Sequence, residues 1–202
     1  MEENRITNLC ILRGVLAEPP RFSHQNRDER FFRFALDVSR LSGAVDTVHI
    51  IARQGLLDAL EPGGGDKLRV EGELRSFNNR SGVGAKLVIT VFARAICFDD
   101  GEDENRIELR GVLCRAPNYR VTPMGREICD LMLAVRRKYG RSDYLPCIAW
   151  GANARMAADW AVGSAVGLTG RIQSRAYQKL IDGVPVEKTA YEVSVIALSQ
   201  DE

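Results

Sequence analysis

The chain repeats itself. Residues 8–20, NLCILRGVLAEPP, and residues 105–117, NRIELRGVLCRAP, agree at Asn8/Asn105, from Leu12–Leu16 against Leu109–Leu113, and at Pro20/Pro117. The offset is 97 throughout, and it continues through Phe34/Leu131, Leu36/Leu133, Val38/Val135, Arg40/Arg137 and Asp46/Asp143. At an offset of 98, VEGELRS (70–76) meets LTGRIQS (168–174); the last strands, LVITVFA (87–93) and YEVSVIA (191–197), also correspond, at a larger offset. Chance produces one such match, not an ordered series. A duplication within 202 residues requires a fold that closes its core twice, each time in about 100 residues. The expected organisation is one domain over 1–98, an acidic linker over 99–104, and a second domain over 105–202. FDDGEDEN (98–105) has carboxylates and a glycine but one hydrophobe at its very start, so it reads as an exposed hinge.

Alternation of apolar and polar residues gives each copy about five strands. In the second copy they fall near 105–116, 126–138, 143–150, 165–177 and 188–198. One helix candidate lies between the third and fourth strands. It is GLLDALEPGGG in the first copy, stopped by Pro62, and NARMAADWAVG in the second, with Asn153 as its expected N-cap. That order is the order of an OB-fold, a five-stranded Greek-key barrel. The expectation is therefore an all-β chain of two tandem OB-fold barrels. Gly14, Gly111, Gly72 and Gly170 sit inside strand patterns, where a small barrel needs a sharp bend or bulge.

The stretch from Asp130 to Ala154 carries the most chemical information. Tyr144, Pro146, Ile148 and Trp150 share one strand parity, and Leu145, Cys147 and Ala149 the other, so Tyr144 and Trp150 should lie on one face. Beside them are Arg136, Arg137, Lys138, Tyr139 and Arg141. Rings mixed with cations on a sheet surface suit a single-stranded nucleic acid, because bases stack on the rings while the cations follow the phosphates. On the fourth strand Arg171, Gln173, Arg175 and Tyr177 form a polar row ending in a ring, with Lys179 beyond. The net charge of +1 hides an uneven distribution. The first copy carries +2, the acidic segment −5 and the second copy +4, and local positive charge is what a phosphate-binding face needs.

The second copy resembles the bacterial single-stranded-DNA-binding protein family along NRIELRGVLCRAP, RVTPMGREICDLMLAVRRKY, SDYLPCIAWGANA, VGSAVGLTGRIQSRAY and TAYEVSV. The first copy resembles it more weakly, and the whole chain is similar to forms with two OB-folds fused in one polypeptide. The resemblance implies single-stranded DNA as the partner and stacking positions at Tyr139, Tyr144, Trp150 and Tyr177. It also implies four OB-folds, hence a homodimer. The first copy departs from the pattern with Ser42, Thr47, Arg53 and Asn79 at those places, leaving Phe77, Arg75 and Arg53 as its candidate contacts. Phe32 and Phe34 share parity with Leu36 and Val38 and should be core. The family's long tail with an acidic, Phe-tipped end has no counterpart after SQDE, so replication partners are not expected to be recruited through one.

Other classes find little support. Cys10, Cys97, Cys114, Cys129 and Cys147 have no metal-ligand spacing and are expected as buried, reduced thiols. His24 and His49 have no neighbouring Cys or Ser motif, and GGGD (63–66) precedes a strand rather than opening a helix. No reaction, cofactor or metal is expected. No apolar run is long enough for a membrane helix, and MEENRITN does not read as a signal peptide. A cytoplasmic, nucleoid-associated protein is expected. Two alternatives share the fold: a primosome-type adaptor relying on protein contacts, and an RNA-binding OB module.

Overall fold

The computed structural model describes residues 7–79, 86–137, 140–181 and 183–200, and of Lys179 and Ile181 only the backbone. The chain packs as two compact units. Residues 9–75 with 90–107 form the first, and the described residues among 7–8, 76–89 and 108–200 form the second.

The first copy contains β1 (Asn8–Leu16), β2 (Arg21–Asn26), β3 (Glu29–Ser39), β4 (Val45–Arg53), α1 (Gln54–Leu57), β5 (Lys67–Asn78) and β6 (Leu87–Phe98). The second contains β7 (Glu104–Leu113), β8 (Asn118–Val121), β9 (Glu127–Arg136), β10 (Ser142–Trp150), α2 (Ala152–Ala158), β11 (Ala165–Ile181) and β12 (Val184–Gln200). The five expected strands and the helix between the third and fourth are present in each copy. A short extra strand, β2 or β8, pairs with the outer edge of the second. Strands run β2-β3-β4-β6-β5-β1 in one copy and β7-β11-β12-β10-β9-β8 in the other, and the pairings β3–β1 and β7–β9 close each barrel.

The duplication holds in register through the first four of the five expected strands, whereas in the last strand the pairing sets Phe92 level with Ser194 and not, as the sequence match suggests, with Ile196. Val15 faces Asp37 across β1/β3 as Val112 faces Ala134 across β7/β9. Phe31 faces Arg53 across β3/β4 as Ile128 faces Trp150 across β9/β10. The fully buried side chains repeat in the same way: Leu12 with Leu109, Leu16 with Leu113, Leu36 with Leu133, and Leu74 with Ile172. Each such burial removes enough apolar surface to contribute about 1.5–3 kcal/mol.

The strand glycines mark where the barrels close. A Cβ on Gly111 would lie 2.6 Å from the Ala134 carbonyl oxygen, and one on Gly14 would be closer still to that of Asp37. Gly72 meets the Phe92 carbonyl and Gly170 the Ser194 carbonyl in the same way. Gly170 also sits at a register shift in the β11/β12 pairing, as a bulge beside a close approach requires.

Several expectations change. The acidic segment is not a free hinge: it is docked on the first barrel. Arg13 Nε lies 2.9 Å from Asp99, Arg13 Nη1 donates to the Glu102 carbonyl, and Lys67 Nζ lies 2.7 Å from Asp103, which also accepts from the Ser39 N–H. Burial pushes the Asp103 carboxyl up, but Lys67 and the Ser39 amide outweigh it and hold the group below its ordinary range. A run without hydrophobes can pack when a barrel supplies its counter-charges. Asn153 is not the N-cap. Gly151 holds that place with φ 53°, and Asn153, inside the first turn, donates to the Ile196 carbonyl. Cys10, Cys129 and Cys147 are buried and burial pushes the Cys147 thiol up to about 12, but Cys97 is exposed and Cys114 half-buried. Phe34 is core, whereas Phe32 is half-buried.

Replacing Gly111 with alanine should lower stability by about 1–3 kcal/mol, because a methyl group must displace backbone rather than a flexible side chain. Gly64→Ala, whose Cβ finds only ordinary contacts at 3.6 Å and beyond, should leave the urea midpoint nearly unchanged. Equal midpoints for the two variants would remove the close-approach account.

Candidate nucleic-acid interface

Residues directly opposite in a ladder share a face, so the register fixes the outer surface of the second copy. Along β9/β10 it carries Ala134 beside Tyr144, Met132 beside Pro146, Asp130 beside Ile148, and Ile128 beside Trp150, with Ile128 and Ile148 buried. The parallel pairing of β10 with β12 sets Ile148 beside Ser194. The long β11/β12 hairpin then places Arg171 beside Ser194, Gln173 beside Glu192, Arg175 beside Ala190, and Tyr177 beside Lys188. One face therefore joins four strands. Tyr144 is 51% exposed and Trp150 37% exposed. The Trp150 indole N–H donates to Ser194 Oγ at 3.2 Å. That bond satisfies the ring's polar edge and fixes its orientation, as a stacking platform needs.

The cations divide into two groups. Arg136 and Arg175 are exposed and Arg171 is half-buried. Arg137, expected on this face, is committed elsewhere. Its Nε lies 2.5 Å from Asp143 Oδ2, its Nη2 also pairs with Asp143, and that Nη2 donates to the Ser76 carbonyl. Asp143 is fully buried and accepts from the Ser76 N–H, while the Tyr144 N–H donates to Ser76 Oγ at 2.7 Å. Burial of an unpaired carboxylate is expensive, so Arg137 serves the fold and holds the start of β10. The first copy has the same device in Arg40 and Asp46, where the hydrogen bond from Arg40 to Asp46 raises the arginine's pKa.

Two carboxylates sit on the same face and are paired. Asp130 receives Arg120 at 2.9 Å, and Glu192 accepts from Gln173 Nε2 at 2.9 Å with Arg175 Nε at 3.7 Å. Gln173, expected to be exposed, is buried by that contact. Tyr177 is half-buried beside Lys188, a cation the sequence reading missed because the residue opposite Tyr177 is set by hairpin register and not by local pattern. Lys138 and Tyr139 lie outside the described residues, as does the Lys179 side chain. Trp160 is half-buried. Tyr119 is 39% exposed, and its hydroxyl donates to Glu127, a bond that raises its pKa.

The first copy presents a different surface. Arg53 stands where Trp150 stands, and Thr47, where Tyr144 stands, donates to Asp37 at 2.6 Å. Phe77 is 53% exposed. The sequence reading missed a cluster of His24, Phe31 and Phe92. His24 stacks on Phe31 with centroids 4.7 Å apart, and Phe31 lies 6.2 Å from Phe92. Across β4/β6, Ile51 pairs with Phe92 as Ile148 pairs with Ser194. A ring thus occupies the serine's place and an arginine the tryptophan's.

Residues 104–199 match the single-strand binding protein family. Single-stranded DNA-binding proteins of Oceanobacillus iheyensis and Clostridium tetani are 35% identical over 100 residues and 33% identical over 81. These matches cover 46% and 37% of this chain, and span 59% and 56% of the relatives' own lengths. The wild-type single-stranded DNA binding protein from Thermus aquaticus has the same fold at 21% identity, with a TM-score of 0.79 over 96% of this chain and 93% of that one. The matched residues include Tyr144, Trp150 and Tyr177, and the fold likeness extends over both copies.

Arg137→Ala should destabilise the protein by about 3 kcal/mol, because it strands the buried Asp143 carboxylate. Arg136→Ala, at an exposed neighbouring position, should not shift the urea midpoint. Equal effects would contradict the division of labour between these two arginines.

Proposed function

We propose that the chain binds single-stranded DNA with little sequence preference and keeps the strand from re-pairing. The carrying observation is the four-strand face on which Tyr144, Trp150 and Tyr177 stand among Arg136, Arg171 and Arg175. Its rings offer stacking area to any base, and its arginines meet phosphates without reading bases. The match of residues 104–199, which carry this face, to the single-strand binding protein family supports the same reading. Binding involves no chemical step and requires no cofactor. The domains over 1–98 and 105–202 act as two binding units in one polypeptide. Two chains form a closed homodimer with four OB-folds, in the symmetry commonest among soluble assemblies. The protein acts in the cytoplasm, at the nucleoid, in replication, repair or recombination.

Titration with oligo-dT should show tight binding whose log K falls with log salt by about 0.7 per phosphate neutralised. Trp150→Ala should weaken it by about 1–3 kcal/mol, the range for one stacked base, or roughly 5- to 150-fold. A flat salt response with Trp150→Ala silent would refute the proposal, and tighter binding of a matched RNA oligomer would redirect it to RNA.

Sedimentation equilibrium at micromolar concentration should give twice the chain mass. A monomer that binds oligo-dT normally would exclude the dimer.

A further inference from the structure

The outer face of the first copy differs from that of the second in how its rings and cations are stacked. Two guanidinium groups lie against the Phe92 ring, Arg75 with Cζ 4.3 Å from the centroid and Arg53 at 5.5 Å. Arg75 Nε is buried and takes no hydrogen bond, so that side of the guanidinium is spent on packing. Phe92 and Phe31 are half-buried, and Phe31 is itself stacked by His24. The rings here are occupied by partners from this chain and offer a base less open π-surface than Trp150 does. The half-exposed Arg53 guanidinium laid on the ring still presents N–H donors at its edge, in the planar fork that suits a phosphate, while Arg75, with Nη2 on Glu73, keeps Nη1 for a single contact. Stacking also removes rotamer freedom before any ligand arrives, which lowers the cost of binding. Counter-charge is present but incomplete: Glu29 stands 4.0 Å from Arg53, Glu73 takes both Arg75 and Arg94, and Arg33 is exposed on the same β3/β4 face.

We propose that the first copy grips the strand by its phosphates, through Arg53 and Arg75 seated on Phe92, while the second copy holds it by its bases. This rests on single-stranded DNA as the ligand. The test compares oligo-dT with an abasic deoxyribose-phosphate oligomer of equal length, across a salt series, in the full chain. Arg53→Gln, which removes a half-exposed side chain away from the core, should reduce binding of both oligomers by the same factor. It should also lower the salt slope by about 0.7. Arg75→Gln should do the same, with an unchanged melting temperature as the check on folding. Trp150→Ala should weaken oligo-dT and leave the abasic oligomer nearly unaffected. If both arginine variants fold and leave abasic affinity and slope unchanged, the phosphate grip is wrong although DNA binding stands. If the unmodified chain binds neither oligomer, the ligand assignment fails and the proposal falls with it.

Discussion

Backbone passing against backbone is the constraint on which both barrels depend. At Gly14, Gly72, Gly111 and Gly170 a strand runs so close to a neighbouring carbonyl that no Cβ fits. These approaches let β1 pair with both β3 and β5, and bring β7 onto β9. Closure removes most of the exposed edge that an open sheet of this size would carry. It also fixes strand register, since a slip of one residue would drive a side chain into a carbonyl. Once register is fixed, alternation decides without further choice which residues fill the barrel and which face outward.

Turn geometry is the second fixed point, and it explains why one arginine was misread. The stretch from Arg136 to Arg141 looks in sequence like a continuous basic patch beside aromatics. In the fold, Arg136 ends β9 facing outward, while Arg137 turns under the chain to a carboxylate with no water access. The repeat offered the clue, because Arg40 and Asp46 recur as Arg137 and Asp143 while the rings around them do not. A cation kept together with a carboxylate across a duplication serves the shared architecture. A cation whose neighbours change is free to serve a ligand.

The architecture was legible in the sequence because it is written in periodicities. The repeat offset, the strand parities, the helix after the third strand and the in-strand glycines all follow from local geometry. Tyr144 and Trp150 were placed correctly for the same reason: both share parity within one strand. Contacts that join different strands were not legible. Nothing local tells that Gln173 turns toward Glu192, that Lys67 reaches Asp103, or that His24 stacks on Phe31. The acidic segment was misjudged because its composition describes a solvated chain, and only the positions of Arg13 and Lys67 on the barrel make it a packed one.

The two copies also show why a duplicated barrel can come to hold unlike surfaces. Closure constrains residues that point inward, and these repeat: leucine over leucine at 12/109, 16/113 and 36/133. Outward residues answer only to their cross-strand neighbours, so they change in sets. Trp150 rests its N–H on Ser194. With arginine at the tryptophan's place, a serine opposite would have no ring to orient and the arginine no surface to lie on. Phe92 at the serine's place gives Arg53 that surface, and Arg75 shares it. A ring and a polar group are present at this junction in both copies, but their strands are exchanged. In the second copy the ring is outermost and the polar group orients it. In the first the ring lies beneath and the cations are outermost.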